Sequence, residues 1–165
     1  MKLIKRRLRD TMSIQKLNYK KKLHQHCIAI IKERIAAIVQ SMENAQAAAN
    51  SEEKSSAGDK YETSRAMSHL EKDMQGRQLA ANQNELAAFM AIDCKNLFTT
   101  VAAGSIVKAG GLTFFIAAGL GKITFEGSIV YLISPNAPVA KSLLGKVKGN
   151  KLNFNNKDIT ITEVF

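Results

Sequence analysis

Asp59 and Glu62 stand three residues apart in Gly58-Asp59-Lys60-Tyr61-Glu62, a spacing at which two carboxylates can share one hard cation. Mg²⁺ is commonly held by one or two carboxylates together with phosphate and water. The chemistry on offer is therefore a divalent cation carried at the end of a helical hairpin to a place that a globular domain cannot reach. The same spacing is that of a capping box, where both acids merely satisfy free N–H groups in the first turn of a helix. The residues alone leave both readings open, and the roles are compatible because a capping acid keeps one oxygen free.

A second cluster, His24, His26 and Cys27, has ligand-type residues but the wrong spacing. Positions two apart point to different helix faces, so only His24 and Cys27 could share an ion, and no matching pair stands elsewhere to close a zinc site. Two cysteines make no disulfide framework. With a turn near Ser55, Cys27 sits opposite a residue near position 83. Cys94 then lies about ten residues further along, roughly 15 Å away at the helical rise.

Two long helices must position the acids. From Ile14 to Glu53 apolar residues recur at helical spacing (Leu23, Cys27, Ile31, Ile35, Ile38, Met42) without a Gly or Pro. From Asp59 to about Leu97 the period returns in Met67, Leu70, Met74, Ala81 and Ala88. Nearly forty residues each predict arms of about 55 to 60 Å, and the short polar link Lys54 to Gly58 makes them antiparallel neighbours. Ala45, Ala47, Ala48 and Ala49 predict close approach and a thin end near the turn.

After Asn96 the period becomes two. Strands are predicted at Gly104–Lys108, Leu112–Ala118, Ile123–Phe125, Ile129–Ile133, Lys151–Phe154 and Asp158–Val164, in one antiparallel or mixed sheet. Asn155-Asn156 is a hairpin turn signal. A short helix over Asn136–Leu144, stopped by Gly145, packs on the sheet through Val139, Leu143 and Leu144. The fold class is α+β: a long antiparallel helical hairpin followed by a small sheet domain with one short helix. The domain reading is a basic extension at 1–12, a coiled-coil hairpin at 13–97 with its acidic tip near 52–62, and the sheet domain at 98–165.

Charge is unevenly placed. Residues 1–24 carry nine Lys/Arg against the single acid Asp10, so eight of the ten net positive charges lie there. Such a block attracts phosphate or an acidic protein face without specifying which, and residues 1–11 read as a solvated tail. The start of the chain is basic with no apolar run behind it, so no secretory signal is predicted and the protein is expected in the cytoplasm. The apolar run Leu97 to Leu120 is broken by Lys108, Gly110 and Gly111 and suits short strands better than a membrane span.

Gly58-Asp59-Lys60-Tyr61-Glu62 resembles the Gly-Asp-x-x-Glu tip of the Gre transcript-cleavage factors of bacterial RNA polymerase. Ser134-Pro135-Asn136-Ala137-Pro138 with Leu143-Leu144-Gly145-Lys146 and Gly149 is similar to the signature of the Gre C-terminal domain, which has an FKBP-like fold. Together the two resemblances span most of residues 14–165 in the family's order. Ala140 stands where the family usually has Gly, Asn150 where an acid is common, and Thr63-Ser64-Arg65 where it has Asn-Ala-Glu. A divergent paralogue is one reading of these departures.

The resemblance implies a transcription elongation factor that inserts its coiled coil into the polymerase secondary channel and stimulates cleavage of backtracked RNA. It implies no enzyme activity of its own: Asp59 and Glu62 help hold a Mg²⁺ shared with the polymerase active site, and none is bound tightly alone. Lys60 and Tyr61 contact the channel wall or RNA. Ser134, Pro135, Pro138, Leu144, Gly145 and Lys146 belong to the dock on the polymerase. The implied partners are RNA polymerase and the nascent RNA, with no membrane, and the factor acts as a monomer. The alternative is a Gre-like regulator that occupies the same channel without stimulating cleavage. A prolyl isomerase on the FKBP-like domain is less favoured, since Phe114, Phe115, Phe125 and Tyr131 divide between strand faces rather than lining one pocket. A plain nucleic-acid binder, DNA-binding included, would rest on charge alone.

Overall fold

The computed structural model describes residues 2–52 and 60–165, with side chains described at 7, 10–50 and 66–165. Helix α1 spans Lys2–Glu52 and α2 spans Lys60–Met90. Six strands follow, β1 (Ile106–Ala109), β2 (Leu112–Ile116), β3 (Gly121–Phe125), β4 (Ser128–Ile133), β5 (Lys151–Phe154) and β6 (Lys157–Val164), with α3 (Pro138–Leu143) between β4 and β5. The class is α+β, as the sequence predicts. The basic segment is not a tail: α1 begins at Lys2, because residues 2–13 contain neither Gly nor Pro and are continuous with a strong helical pattern.

The chain divides into two compact units. The first takes Met1–Cys27 and Ala88–Phe165, and the second takes Ile28–Ala87.

In the first unit the sheet order is β3-β4-β2-β1-β6-β5, mixed because β2 and β4 are parallel while the other pairs are antiparallel. Asn155 and Asn156 both take positive φ between β5 and β6, the geometry the Asn-Asn pair predicts. Gly110 turns β1 into β2 with φ +56, and a Cβ there would stand 2.6 Å from Ile159 Cγ2, so only glycine fits.

Alternation along the strands gives the sheet two apolar faces. On one, Val107, Phe114, Ile116, Leu152 and Ile161 form a core with Ala140 and Leu143 of α3. Phe114 meets Tyr131 at 5.6 Å and Phe154 at 5.4 Å between centroids. On the other, Phe115 is fully buried and meets Phe89 edge-on at 6.0 Å, while Phe125 meets Tyr19 at 5.4 Å. Neighbouring Phe114 and Phe115 thus serve opposite faces, and the second face is closed by residues from both helices.

Helix α3 is shorter than predicted, and Leu144 is 38% exposed rather than packed on the sheet. Ala140 and Leu143 supply the buried contacts instead, since Leu144 already lies beyond the last helical turn.

In the second unit the helices are antiparallel neighbours, bridged where Gln75 Nε2 donates to Ser41 Oγ at 3.0 Å. The α1 face is the predicted one, with Ile31 buried and Ile35, Ile38 and Met42 half-buried. The α2 face is not. Met67, Leu70 and Met74 are 55 to 68% exposed, and the buried residue of that helix stretch is Gln75. Pairing register, not apolarity, decides the inward face here: Gln75, bonded to Ser41 of α1, is buried and Leu79 is half-buried. The small residues also fail to close the pair, because Ala45 and Ala49 line a groove of about 420 Å³.

Candidate functional site

Lys60, Tyr61 and Glu62 fall on the first turn of α2. Their side chains, and Asp59 altogether, lie outside the described residues. In sequence the acid pair begins where α1 has ended at Glu52 and straddles the start of α2.

The proline-rich motif is fully described. Ser134 Oγ accepts from Asn136 N–H at 3.3 Å and Ser134 O accepts from Ala137 N–H at 2.9 Å, which turns the chain out of β4. Pro138 occupies the first position of α3, where a missing N–H costs nothing. Gly145 takes φ +77 and donates to Val101 O at 2.9 Å. Lys146 O accepts from Val101 N–H at 2.8 Å, and Lys146 Nζ donates to Lys151 O. The motif thereby holds one loop against the strand-like segment at Thr100–Val101 and leaves Leu144 and Val147 38% and 40% exposed.

The histidine cluster does not gather a metal. His24 Nε2 lies 2.6 Å from Phe89 O, and since a carbonyl only accepts, the ring carries its proton there. His26 packs its ring on Phe125 at 5.4 Å. No group of three or more metal-ligating side chains occurs among the described residues. Nor is any helix of the described residues long and apolar enough to cross a membrane.

Helix α2 stops short of the predicted Leu97, so Cys94 is not on it. Helix α2 ends at Met90, the chain folds back with Ile92 N–H on Phe89 O at 3.1 Å, and Asp93 caps Lys95 N–H at 2.7 Å. Burial, helped slightly by Cys94, pushes the Cys27 thiol up to about 12, so it stays protonated and inert near neutral pH.

Two features were invisible in the sequence. Lys20, one cation of a basic run, is fully buried: its Nζ donates to Asn96 O at 3.0 Å and lies 4.3 Å from the Phe98 ring centroid. Burial lowers its pKa against the opposing pull of Cys94 and Asp93. The lysine clips α1 to the connection between α2 and β1.

The other is a recess of about 800 Å³ between α1 and the sheet. Lys16 and Lys22 come from α1, Lys108 from β1, Glu163 from β6, Glu126 from the β3–β4 turn, and Tyr19 and Phe165 give it an aromatic wall. Lys16 and Lys108 both hold the Glu163 carboxylate, at 2.6 and 3.1 Å. Burial raises the Glu163 pKa, but the two lysines outweigh it and hold the group below the usual glutamate range. The only sequence signal was the density of lysine in residues 1–24, and nothing in it pointed to strand residues 108 and 163.

No protein-family model matches the chain, and no curated protein matches it. Among solved structures, that of Thermus aquaticus Gfh1 is 13% identical, with 89% of this chain and 94% of that one covered at a TM-score of 0.32. That of GreA factor homolog 1 (Gfh1) of Thermus thermophilus is also 13% identical, covering 84% of this chain and 94% of that one at a TM-score of 0.32. A superposition that loose carries no argument.

Proposed function

We propose that this chain is a Gre-type accessory factor of RNA polymerase. Its helical hairpin enters the secondary channel, and its sheet domain, read as FKBP-like, docks on the polymerase exterior. The observation that carries the reading is the antiparallel pairing of α1 and α2, fixed at Ser41 and Gln75, with Gly58-Asp59-Lys60-Tyr61-Glu62 falling where the pair is joined. The order of parts supports it further, since the Ser-Pro motif and Leu143-Leu144-Gly145-Lys146 follow the hairpin in a mixed-sheet domain.

In this reading Asp59 and Glu62 are hard oxygen donors of the kind Mg²⁺ takes alongside phosphate and water. The metal, when shared with the polymerase, supplies a stabilised attacking water for hydrolysis of backtracked RNA. Asp59 and Glu62 donate ligands and orient that water, Lys60 and Tyr61 contact the channel or the RNA, and the protein has no hydrolytic activity alone. It acts as a monomer in the cytoplasm.

Asp59→Asn and Glu62→Gln keep shape and remove charge. Each should abolish stimulation of transcript cleavage on a stalled elongation complex while leaving affinity for core polymerase within about twofold. Stimulation equal to the unsubstituted protein would return the acids to helix capping. If the unsubstituted protein itself binds but blocks cleavage, the Thr63-Ser64-Arg65 departure marks a channel-occupying inhibitor.

A further inference from the structure

We propose that the recess between α1 and the sheet is a binding site for a small nucleotide, with phosphates on the lysines and the base against the aromatic wall. The site is separate from both the carboxylate tip and the Ser134–Lys146 loop, and it is complete within the first unit.

Size argues first. A volume of about 800 Å³ lies within the range of small-ligand sites, whereas a protein partner needs an open face of roughly 800 Å².

Cations argue next. Lys16 and Lys108 converge from a helix and a strand on one carboxylate, and their Nζ atoms lie 5.5 and 5.7 Å from the same Phe165 centroid. Two ammonium groups arranged around one oxyanion are an anion clamp, here closed by the chain's own Glu163. Lys22 stands 3.7 Å from Glu126, beyond hydrogen-bond distance, with both side chains about half exposed or more, so that cation is available to a ligand. Lysines acting as point charges suit phosphate groups, which accept from several at once.

The remaining lining selects more than charge. Thr113 and Ser128 supply hydroxyls and Asn18 an amide, groups that hydrogen-bond phosphate, sugar or base edge. Tyr19, half-buried and backed by the buried Phe165 ring, gives a planar base an aromatic surface, a contact that tolerates any base. Glu163 is then an internal competitor: its carboxylate holds the two lysines together and must yield part of that pairing when phosphate arrives.

The test is titration of the isotopically labelled full chain with metal-free ATP at about 0.1 M salt, read by amide shifts and calorimetry. Saturable one-to-one binding is expected, with shifts at Thr113, Glu126 and Ser128. Lys22→Gln and Lys108→Gln should each weaken it about fivefold or more, and Glu163→Gln should tighten it about threefold or more by removing the competing carboxylate. Lys141→Gln, on α3, should change nothing. Inorganic triphosphate binding as tightly as ATP would remove the base from the proposal and overturn it. So would non-saturable binding, equal loss in Lys141→Gln, weaker binding in Glu163→Gln, or a short RNA that binds the same residues more tightly than ATP. Because the assay contains no polymerase, its failure leaves the reading of the acidic tip untouched, and the converse holds.

Discussion

The two units are held together by different means. The first has a core on each face of its sheet, built from Phe114, Phe115, Phe89, Ile116, Leu132 and Leu143, all under 2% exposed. The second, among described residues, buries only Ile31 and Gln75, and it joins its helices through a side-chain hydrogen bond and half-buried aliphatics around a groove. A domain that buries aromatic surface gains about 25 cal/mol for each Å² removed from water, whereas a two-helix pair has little such surface to remove. What the contrast teaches is that helicity in the second unit depends more on propensity, along Ala-, Gln- and Glu-rich sequence with Gly76 inside α2, than on packing.

The largest effect should come from truncating the core of the first unit. Phe114→Ala leaves Tyr131 and Phe154 facing a void and should cost about 3–5 kcal/mol. Leu79→Ala, on a half-buried groove position of the second unit, should cost under about 1.5 kcal/mol. Equal losses in denaturant unfolding would erase the comparison.

A smaller effect sharpens it. Gln75→Ala or Ser41→Ala alone removes one partner of the inter-helix hydrogen bond and should cost roughly 1 kcal/mol, while Ser41→Ala with Gln75→Leu should recover most of that. Additive losses in the double variant would mean that the two side chains act independently. Amide exchange should show the effect in residues 28–87 and leave the sheet unchanged.

The smallest effect concerns charge. The ion pairs between described residues all lie in the first unit, and Glu163 is held below its usual pKa by Lys16 and Lys108. A carboxylate with a depressed folded pKa contributes stability above its unfolded value, and loses it as pH falls through the folded one. Thermal stability of the first unit should therefore decline below the ordinary glutamate range near 4.5, and Glu163→Gln should flatten that decline. The effect is small because the pair is partly exposed and salt screens it. Identical acid limbs for the two proteins would deny Glu163 any share.

Local rules were enough for much of the architecture. The period of 3.6 gave the α1 face, the period of two gave six strands, Asn155-Asn156 gave its hairpin, and Gly145 marked the stop of α3. Each is a signal carried within a few neighbouring residues. The fold failed to follow the sequence pattern at Met67, Leu70 and Met74, which have the right spacing for a buried face and the wrong azimuth for the partner that is present. The Ser-Pro motif could be read as a turn because its residues are contiguous, and Ser134 and Ala137 make that turn.

The sequence by itself determined the elements, their order, and the crowding of cations into residues 1–24. Tertiary structure alone decided that Lys20 is buried, and that Lys16 meets Lys108 and Glu163 across a recess. The physical reason is separation along the chain. Residues 16, 108 and 163 share no period or motif, and only the pairing of β1 with β6 beneath the N-terminal part of α1 brings their charges to one place.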